Sequence, residues 1–408
     1  MRRADGRAAR GVPALLLVLA LAAGAGAQSP VALPGIDALA RDPGVLRGLR
    51  VGLVTHRAGQ DSAGERTSTV LARLPGVRLT ALFAPEHGID GTYDAGERVP
   101  TIPGRTPVYS LYGGAFSPTR QMLSRVDALV VDLQDVGVRP YTYTSTMALV
   151  MRAGREAGKP VVILDRPNPM GGAIIDGPVL EPPFRSFIGM YPIPYVFGMT
   201  IGELARLYND AFGIGAKLVV VRMQGWTRGM TWAQTGLPWE NPSPGITHPE
   251  AVFHYAATGP VDGTNLWNGV ATESRFQVVL APWIDAGETL AARLNAHGLP
   301  GVRFSRSAIP HPRLQRVYHG VRLHITDAAV FRPSTTIVYV LSEIRNLYPD
   351  RFAFARPRRG PYLFDLVWGT KELRLALQRG DPPDRIVAAW APALKQFEQL
   401  RQPYLLYP

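Results

Sequence analysis

Residues 128–165 have the sequence ALVVDLQDVGVRPYTYTSTMALVMRAGREAGKPVVILD, and this stretch decides the fold class. Its two ends, residues 128–132 and 160–165, are short apolar runs of the kind found in strands that are buried on both faces of a parallel sheet. Residues 144–157 between them predict a helix, which ends at Gly158. A strand, a helix and a second strand in this order indicate a βαβ unit.

The same alternation continues on both sides of this stretch. Further strands are predicted at residues 51–55, 77–83, 107–111 and 218–221, and further helices at residues 66–74, 119–123 and 200–210. Strands that alternate with helices favour a mostly parallel sheet with helices on both faces. Residues 35–238 are therefore predicted to form a Rossmann-like α/β domain that carries the catalytic site.

The pattern changes from Trp239 onward. Residues 241–245 form a turn-rich connector of Asn, Pro, Ser and Gly. Less regular strands are predicted at residues 277–280, 303–304, 321–325 and 336–341, with helices at residues 287–296 and 384–398. Residues 239–408 are therefore predicted to form a smaller α+β domain that completes a cleft with the first.

Residues 1–27 have the pattern of a signal peptide. Arginines crowd the first ten residues, an apolar run follows at residues 14–23, and Ala25-Gly26-Ala27 supplies the small residues of a cleavage site. An uncleaved membrane anchor is the alternative, but the apolar run is short for a membrane span. The chain has no cysteine, which excludes a lipid-anchored cysteine and disulfides. We expect an exported protein, periplasmic or secreted, with no stable membrane insertion after cleavage of the leader.

The formal net charge of +12 is carried almost entirely by arginine. Only residues 356–359 approach a basic cluster, whereas a nucleic-acid groove needs clustered charges with interleaved aromatic side chains. No nucleic-acid partner is therefore predicted. A positively charged protein is still attracted to the anionic polymers of a cell envelope.

Familiar cofactor and catalytic motifs are missing from the sequence. No Gly-x-Gly-x-x-Gly follows the first strand, and there is no phosphate loop, no Gly-x-Ser-x-Gly and no His-Glu-x-x-His. His87, Asp132 and Asp165 could hold a hard cation, but nothing in the sequence fixes a third ligand. No cofactor and no metal site are predicted.

Polar side chains follow three of the predicted strands, at the point where each strand ends. In open parallel sheets a ligand binds at the carboxyl ends of the strands, where the strand order reverses. We therefore expect these side chains to converge on one site. They are Glu86 and His87 after one strand, Asp132, Gln134, Asp135 and Arg139 after a second, and Asp165, Arg166 and Asn168 after a third.

These residue types are suited to acid–base chemistry. Hydrolysis of a glycosidic bond needs an acid that protonates the leaving oxygen and a second group that acts as nucleophile or activates water. Glu86 lies in a turn after its strand, where its side chain would face the crevice. A loop ion pair or a helix cap is the alternative role for Glu86, because structural ion pairs are common.

Tyrosine and arginine side chains offer assistance to such a carboxylate. Tyr141 and Tyr143 could act as a nucleophile or a sugar-stacking surface, or could simply pack at a helix entrance. Arg139 or Arg166 could form a bidentate pair with a carboxylate of the ligand. Equally, each arginine could pair with a neighbouring aspartate and hold the loops.

A second polar group lies in the smaller domain. Residues 262–267 (DGTNLW), which include Asn265, are followed by Thr272-Glu273. These side chains could bond sugar hydroxyl or acetamido groups, and an ordinary turn is the alternative.

At these motifs the chain resembles the exo-β-N-acetylmuramidase family (NamZ-like proteins, formerly a domain of unknown function). The resemblance runs from about residue 35 to the C-terminus. The matching stretches are residues 84–89 (APEHGI), 94–97 (DAGE), 107–113 (PVYSLYG), 132–139 (DLQDVGVR), 141–147 (YTYTSTM), 164–169 (LDRPNP), 236–239 (GLPW), 241–244 (NPSP) and 263–266 (GTNL).

The resemblance implies a Rossmann-like domain joined to a smaller domain, with a cleft that removes terminal N-acetylmuramic acid from the non-reducing ends of peptidoglycan fragments. It implies Glu86 as the leading catalytic residue and Tyr141 as its assistant. An arginine near the sugar would suit the lactyl carboxylate of muramic acid. The residues implied to line the pocket are His87, Asp132, Gln134, Asp135, Arg139, Tyr143, Asp165, Asn168 and Asn265.

The sequence departs from the family pattern near the expected cleft. Thr55-His56-Arg57 replaces a usual Thr-Asn-Pro-Thr, Asp262 replaces a frequent glutamate, and Arg275 stands where a proline commonly precedes the phenylalanine. Two other functions remain open on the same surface. One is a non-catalytic envelope protein that binds muropeptides, and the other is a different hydrolase, an esterase or a metal-assisted phosphatase.

Overall fold

The computed structural model describes residues 32–408. The predicted signal peptide at residues 1–27 lies outside the described residues. The strands are β1 Arg50–Thr55, β2 Arg78–Ala84, β3 Val108–Ser110, β4 Ala128–Asp132, β5 Val161–Leu164, β6 Asp176–Val179, β7 Pro194–Val196, β8 Leu218–Val221, β9 Val278–Ala281, β10 Val302–Pro310 and β11 Val317–Ile325.

Helices cover both faces of the larger sheet and one side of the smaller one. Within residues 32–408, none of them combines the length and the apolar character that a membrane crossing requires. They are α1 Gly35–Arg41, α2 Thr67–Arg73, α3 Arg120–Leu123, α4 Tyr143–Glu156, α5 Ile201–Asp210, α6 Trp232–Thr235, α7 Ala251–Thr258, α8 Gly287–Ala296, α9 Pro333–Leu347, α10 Leu363–Trp368, α11 Glu372–Arg379, α12 Pro383–Ala388 and α13 Ala391–Arg401.

The larger sheet has six strands in the order β3-β2-β1-β4-β5-β8, and every neighbouring pair is parallel. Strand β4 shows why the apolar runs are continuous. Leu129 and Val131 point into the core on one face, while Ala128 and Val130 point into the core on the other. Side chains alternate along a strand, so a strand covered on both faces must be apolar at every position. The predicted α/β fold with a mostly parallel sheet is confirmed.

The strand order reverses between β1 and β4, where Thr55 lies opposite Asp132. The loops that follow these two strands therefore diverge and leave room for a site at their carboxyl ends. This is the edge of the sheet at which the sequence placed its polar residues.

The second domain contains an antiparallel sheet in the order β10-β11-β9, as the predicted smaller α+β domain requires. The strand predicted at residues 336–341 is wrong, because these residues lie within α9. Helix α9 is buried around most of its circumference, so its apolar run has no helical period and resembles that of a strand. The helix predicted at residues 384–398 is interrupted between α12 and α13, where Pro392 occupies the first turn of α13.

The C-terminal residues return to the first domain. The Tyr407 hydroxyl donates to Asp165 Oδ2 at 2.6 Å and accepts a bond from the Met223 backbone N–H at 2.9 Å. Arg401 donates to the carbonyl oxygens of Gly172 and Gly198 at 3.1 and 2.5 Å. The last helix and the tail therefore brace the parallel sheet, although they belong to the second half of the chain.

Candidate active site

Glu86 lies in a tight turn directly after β2. His87 and Gly88 both adopt positive φ angles of 71° and 79°, and this reverses the chain so that Glu86 is only 7% exposed. Its Oε2 accepts a bond from the Thr142 hydroxyl at 2.7 Å, and its Oε1 accepts one from the Gly96 N–H at 2.9 Å. No lysine or arginine of residues 32–408 forms an ion pair with it. Glu86 is therefore not a loop ion pair.

Aromatic rings surround the turn that holds Glu86. The ring centroids of Tyr141 and Tyr143 are 4.7 Å apart, and the His87 ring lies 6.4 Å from Tyr141. Tyr255 of α7, from the second domain, lies 6.1 Å from Tyr141. The structure thus brings together four residues that the sequence placed in one site and adds a residue from the other domain.

The two tyrosines differ in what their hydroxyl groups do. The Tyr143 hydroxyl donates to the Pro242 carbonyl at 2.9 Å, which ties α4 to the connector between the domains. The Tyr141 hydroxyl is buried and has no hydrogen-bond partner of good geometry among the described residues. Burial raises the pKa of Tyr141 well above its ordinary value. The phenol therefore stays neutral and acts as a donor, and this disfavours the nucleophilic role that the sequence left open.

His56 is a buried residue of this cluster that the sequence reasoning did not assign. It follows β1 directly, and its Nε2 accepts a bond from the Gln134 N–H at 3.0 Å. Its ring packs against Tyr143 with centroids 4.8 Å apart. Burial, and then the positive charge of Arg166, lower the pKa of His56 well below its usual value. A neutral imidazole therefore links the ends of β1 and β4 and supports Tyr143. The sequence could have pointed to His56 because it directly follows β1, one of the two strands at which the strand order reverses.

Asp132 and Arg166 are committed to each other. Arg166 Nη2 donates to Asp132 Oδ2 at 2.9 Å, its Nε contacts Asp132 Oδ1, and the Thr67 hydroxyl also donates to this carboxylate. Both side chains are at most 3% exposed, and Arg166 also donates to the Gln60 carbonyl. The pair thus ties the end of β4 to the loop after β5, and its predicted contact with the ligand stays a prediction.

Arg139 is likewise occupied. Its guanidinium donates to the backbone carbonyls of Pro178, Ile193 and Val367 at 3.0, 2.7 and 3.1 Å and is 1% exposed. Since Val367 belongs to α10, this arginine joins the two domains. Arg139 thus meets carbonyl oxygens, and its Nε has no partner among the described residues. The predicted contact with a ligand carboxylate stays a prediction.

Asp165 also serves the fold. Its carboxylate accepts bonds from the Thr200 hydroxyl and the Gly202 N–H, both at 2.8 Å, and from the Tyr407 hydroxyl. It therefore anchors the N-terminus of α5 and the C-terminal tail to the end of β5. Both carboxylate oxygens of Asp165 already accept hydrogen bonds from the protein. Its predicted contact with a sugar is therefore not supported.

Gln134 and Asn168 connect neighbouring loops. The Gln134 amide donates to the carbonyls of Asp135 and Pro167, both at 2.9 Å, and the Asn168 amide donates to the Met199 carbonyl at 3.0 Å. Both side chains are at most 5% exposed. They shape the loops beneath the site rather than line its surface.

Asp135 is buried with one oxygen unused. Its Oδ1 accepts a bond from the Gly137 N–H at 2.7 Å, whereas its Oδ2 has no partner among residues 32–408. It borders a small cavity together with Asn168 and Met199. Burial raises the pKa of Asp135 to about 7, so this carboxyl group binds a proton more tightly in the folded chain than in the unfolded one.

Asp135→Asn is expected to flatten the pH dependence of stability. A raised pKa favours the folded state below pH 4, and that contribution is lost as pH rises through 7. The free energy of unfolding of the variant, relative to the wild type, should therefore be about 2 kcal/mol higher at pH 8 than at pH 5. Urea unfolding at both pH values measures this difference. An identical difference at the two pH values would contradict the argument.

The predicted residues of the second domain do not join this cluster. Asn265 uses both ends of its amide on residues 351–353, donating to the Arg351 carbonyl at 2.7 Å and accepting from the Ala353 N–H at 3.0 Å. Glu273 is exposed on a turn. Tyr255 is the residue of this domain whose ring lies near Tyr141. The sequence did not indicate this role, because an aromatic residue on a helix is typical of an ordinary core position.

No group of three or more His, Asp or Glu side chains within residues 32–408 is arranged to hold a metal ion.

The family model described as exo-beta-N-acetylmuramidase NamZ, N-terminal, matches residues 51–250, and the C-terminal model of the same family matches residues 253–407. The chain belongs to the NamZ family of exo-β-N-acetylmuramidases. The resemblance seen in the motifs is thereby confirmed, and with it the assignment to glycoside hydrolases.

The similarity of this NamZ family member to known proteins extends over nearly the full length of both chains. The peptidoglycan β-N-acetylmuramidase NamZ of Bacillus subtilis (strain 168) is 42% identical, over 93% of this chain and 92% of that protein. Two crystal structures of DUF1343 family proteins from Bacteroides fragilis NCTC 9343 each cover 92% of this chain and 99% of their own. Their TM-scores are 0.85 and 0.72, at 38% and 28% identity.

Proposed function

We propose that this enzyme releases N-acetylmuramic acid from the non-reducing ends of peptidoglycan fragments, either saccharides or muropeptides, with Glu86 as its acid. One observation carries the assignment within the family. Glu86 is a buried carboxyl group without an ion pair among the described residues, held by Thr142 and Gly96.

The chemistry follows from this arrangement. Glu86 gives its proton to the glycosidic oxygen as the bond from that oxygen to the anomeric carbon breaks. The hydroxyl of a water molecule joins the anomeric carbon, and the remaining proton of that water restores the acid over the cycle. The neutral Tyr141 hydroxyl donates to a sugar oxygen and thereby orients the ring. His56 and Tyr143 keep the loop ends in place beneath the sugar.

Release of free N-acetylmuramic acid from a muramic-acid-terminated disaccharide tests this function. Chromatography of the products, run beside calorimetry of binding, also tests the non-catalytic alternative. A folded protein that binds the disaccharide and releases nothing would support a muropeptide-binding protein and refute the proposed hydrolase.

Recognition of muramic acid requires a cation that the structure leaves available. Arg139 and Arg166 are committed elsewhere, so we assign this role to Arg98. It lies on the segment whose Gly96 N–H bonds to Glu86, is exposed, and forms no ion pair among residues 32–408. Its stem lies against Gly113, where any side chain would collide with it. A guanidinium in this position matches the lactyl carboxylate in charge and geometry.

Arg98→Ala is expected to weaken binding of N-acetylmuramic acid by about 10- to 100-fold, the value of a charge-assisted hydrogen bond. Binding of its lactyl methyl ester, which carries no charge, should change little. Calorimetry with both sugars measures the preference. Arg105→Ala, at an exposed position of the same connection, is the matched control. If the Arg98→Ala variant still prefers the free acid as strongly as the wild type, Arg98 does not read the carboxylate.

Export of the enzyme is the remaining part of the proposal. It is supported by the arginine-rich start, the apolar run and the small residues before Gln28. N-terminal sequencing of the protein recovered from the periplasm or medium tests it, and a mature chain beginning at Gln28 is expected.

A further inference from the structure

Three aromatic rings form a cluster beside Glu86 that the proposed chemistry does not use. The centroids of Phe116 and Phe187 are 4.6 Å apart, and Tyr112 lies 5.5 Å from Phe116 and 5.9 Å from Phe187. Phe116 is 43% exposed, and the other two rings are half-buried. We call these three residues the aromatic platform. Neighbouring apolar rings that face solvent together are a common sign of a binding surface.

The aromatic platform is continuous with the candidate active site. Strand β3 pairs with β2 so that Ser110 lies opposite Ala84, which brings Tyr112 next to the turn of Glu86. The Tyr112 carbonyl accepts a bond from the Val99 N–H at 3.0 Å, and Val99 belongs to the segment that contacts Glu86 through Gly96. Burial, and then the negative charge of Glu86, raise the pKa of Tyr112 to about 12.

The exposure of the aromatic platform to solvent indicates which part of the substrate it can bind. An acid that protonates the glycosidic oxygen lies between the sugar that is released and the remainder of the substrate. Tyr141 and His87 are buried, whereas Phe116, which packs on Tyr112, is exposed. The rest of a glycan must extend toward solvent, and an exposed group of rings suits that part of the substrate.

We propose that Tyr112, Phe116 and Phe187 form the subsite that holds the leaving saccharide, an N-acetylhexosamine-containing glycan segment, during the cleavage at Glu86. This inference rests on the proposed function. The apolar C–H face of a pyranose ring covers an aromatic face well, and that burial favours binding. Phe116 makes the most exposed contact, and Tyr112 connects the subsite to the acid.

Phe116→Ala in the full-length enzyme is the test, assayed on two substrates. One is a disaccharide in which muramic acid is linked to N-acetylglucosamine, and the other is β-N-acetylmuramyl fluoride, whose leaving group cannot reach the platform. We expect kcat/KM on the disaccharide to fall about tenfold, mainly through KM, and kcat/KM on the fluoride to stay unchanged. Phe116→Trp should retain activity on both substrates.

Leu314→Ala, which truncates a residue that is 54% exposed between β10 and β11, is the control for loss of an exposed apolar side chain. An equal loss on both substrates would show that the rings only hold residues 112–116 against residues 185–190 and would overturn the proposal. Unchanged kinetics on the disaccharide would overturn it as well. A wild-type enzyme inactive on both substrates would instead refute the proposed function, and the subsite with it.

Discussion

Glu86→Gln is expected to lower kcat by about 10³-fold, since positioned general acids contribute roughly 10²- to 10⁴-fold. The fold should be unaffected. The amide oxygen can still accept the bond from the Gly96 N–H, and the amide nitrogen can donate to the Thr142 hydroxyl, which also accepts. The substitution removes the transferable proton and keeps the volume and both contacts.

Initial rates of N-acetylmuramic acid release measure this effect, with binding of the disaccharide followed by calorimetry. Glu97→Gln supplies the matched control, because Glu97 is an exposed carboxylate on the neighbouring segment and, within residues 32–408, accepts a bond only from the Asp94 N–H. The control should stay within twofold to threefold of the wild type. A Glu86→Gln enzyme that keeps a tenth or more of wild-type kcat would remove Glu86 from the role of acid.

The parallel sheet could be predicted from the sequence because burial on both faces leaves an unmistakable apolar run. Strand β4 has the bounds that the sequence predicts, residues 128–132, for this reason. The same reasoning fails at α9, which is buried on most sides and therefore also loses its polar stripe. An apolar run in the sequence predicts that the segment is buried. Whether the segment forms a strand or a helix is decided by the residues that it packs against, which are distant in the sequence.

The candidate site divides in a similar way. Glu86, His87, Tyr141 and Tyr143 could be placed together because parallel strands end at one edge of the sheet. The rule does not distinguish a side chain that faces the site from one that braces the loops beneath it. Asp132 ends the strand that precedes the tyrosines and Arg139 follows it, yet their partners come from residues 34 or more positions away, or from the other domain.

Asp132 marks this distinction experimentally. Asp132→Ala is expected to lower the free energy of unfolding by about 3–5 kcal/mol, because it leaves the Arg166 guanidinium buried without its counter-charge. It also removes the acceptor of the Thr67 hydroxyl at the start of α2. Urea unfolding measures the loss. At a temperature where the variant is still folded, its kcat/KM should stay within a few-fold of the wild type.

Asp90→Ala is the matched control, since it breaks an ion pair with Arg66 whose side chains are 56% and 45% exposed. Such pairs contribute about 0–1 kcal/mol, because solvent screens both charges. The double variant Asp132→Ala/Arg166→Met should recover part of the stability lost in Asp132→Ala, since the unpaired buried charge is gone. A stable Asp132→Ala enzyme with a large loss of kcat/KM would reverse the assignment and return Asp132 to the substrate pocket. The buried pair would then be part of the catalytic machinery rather than the support beneath it.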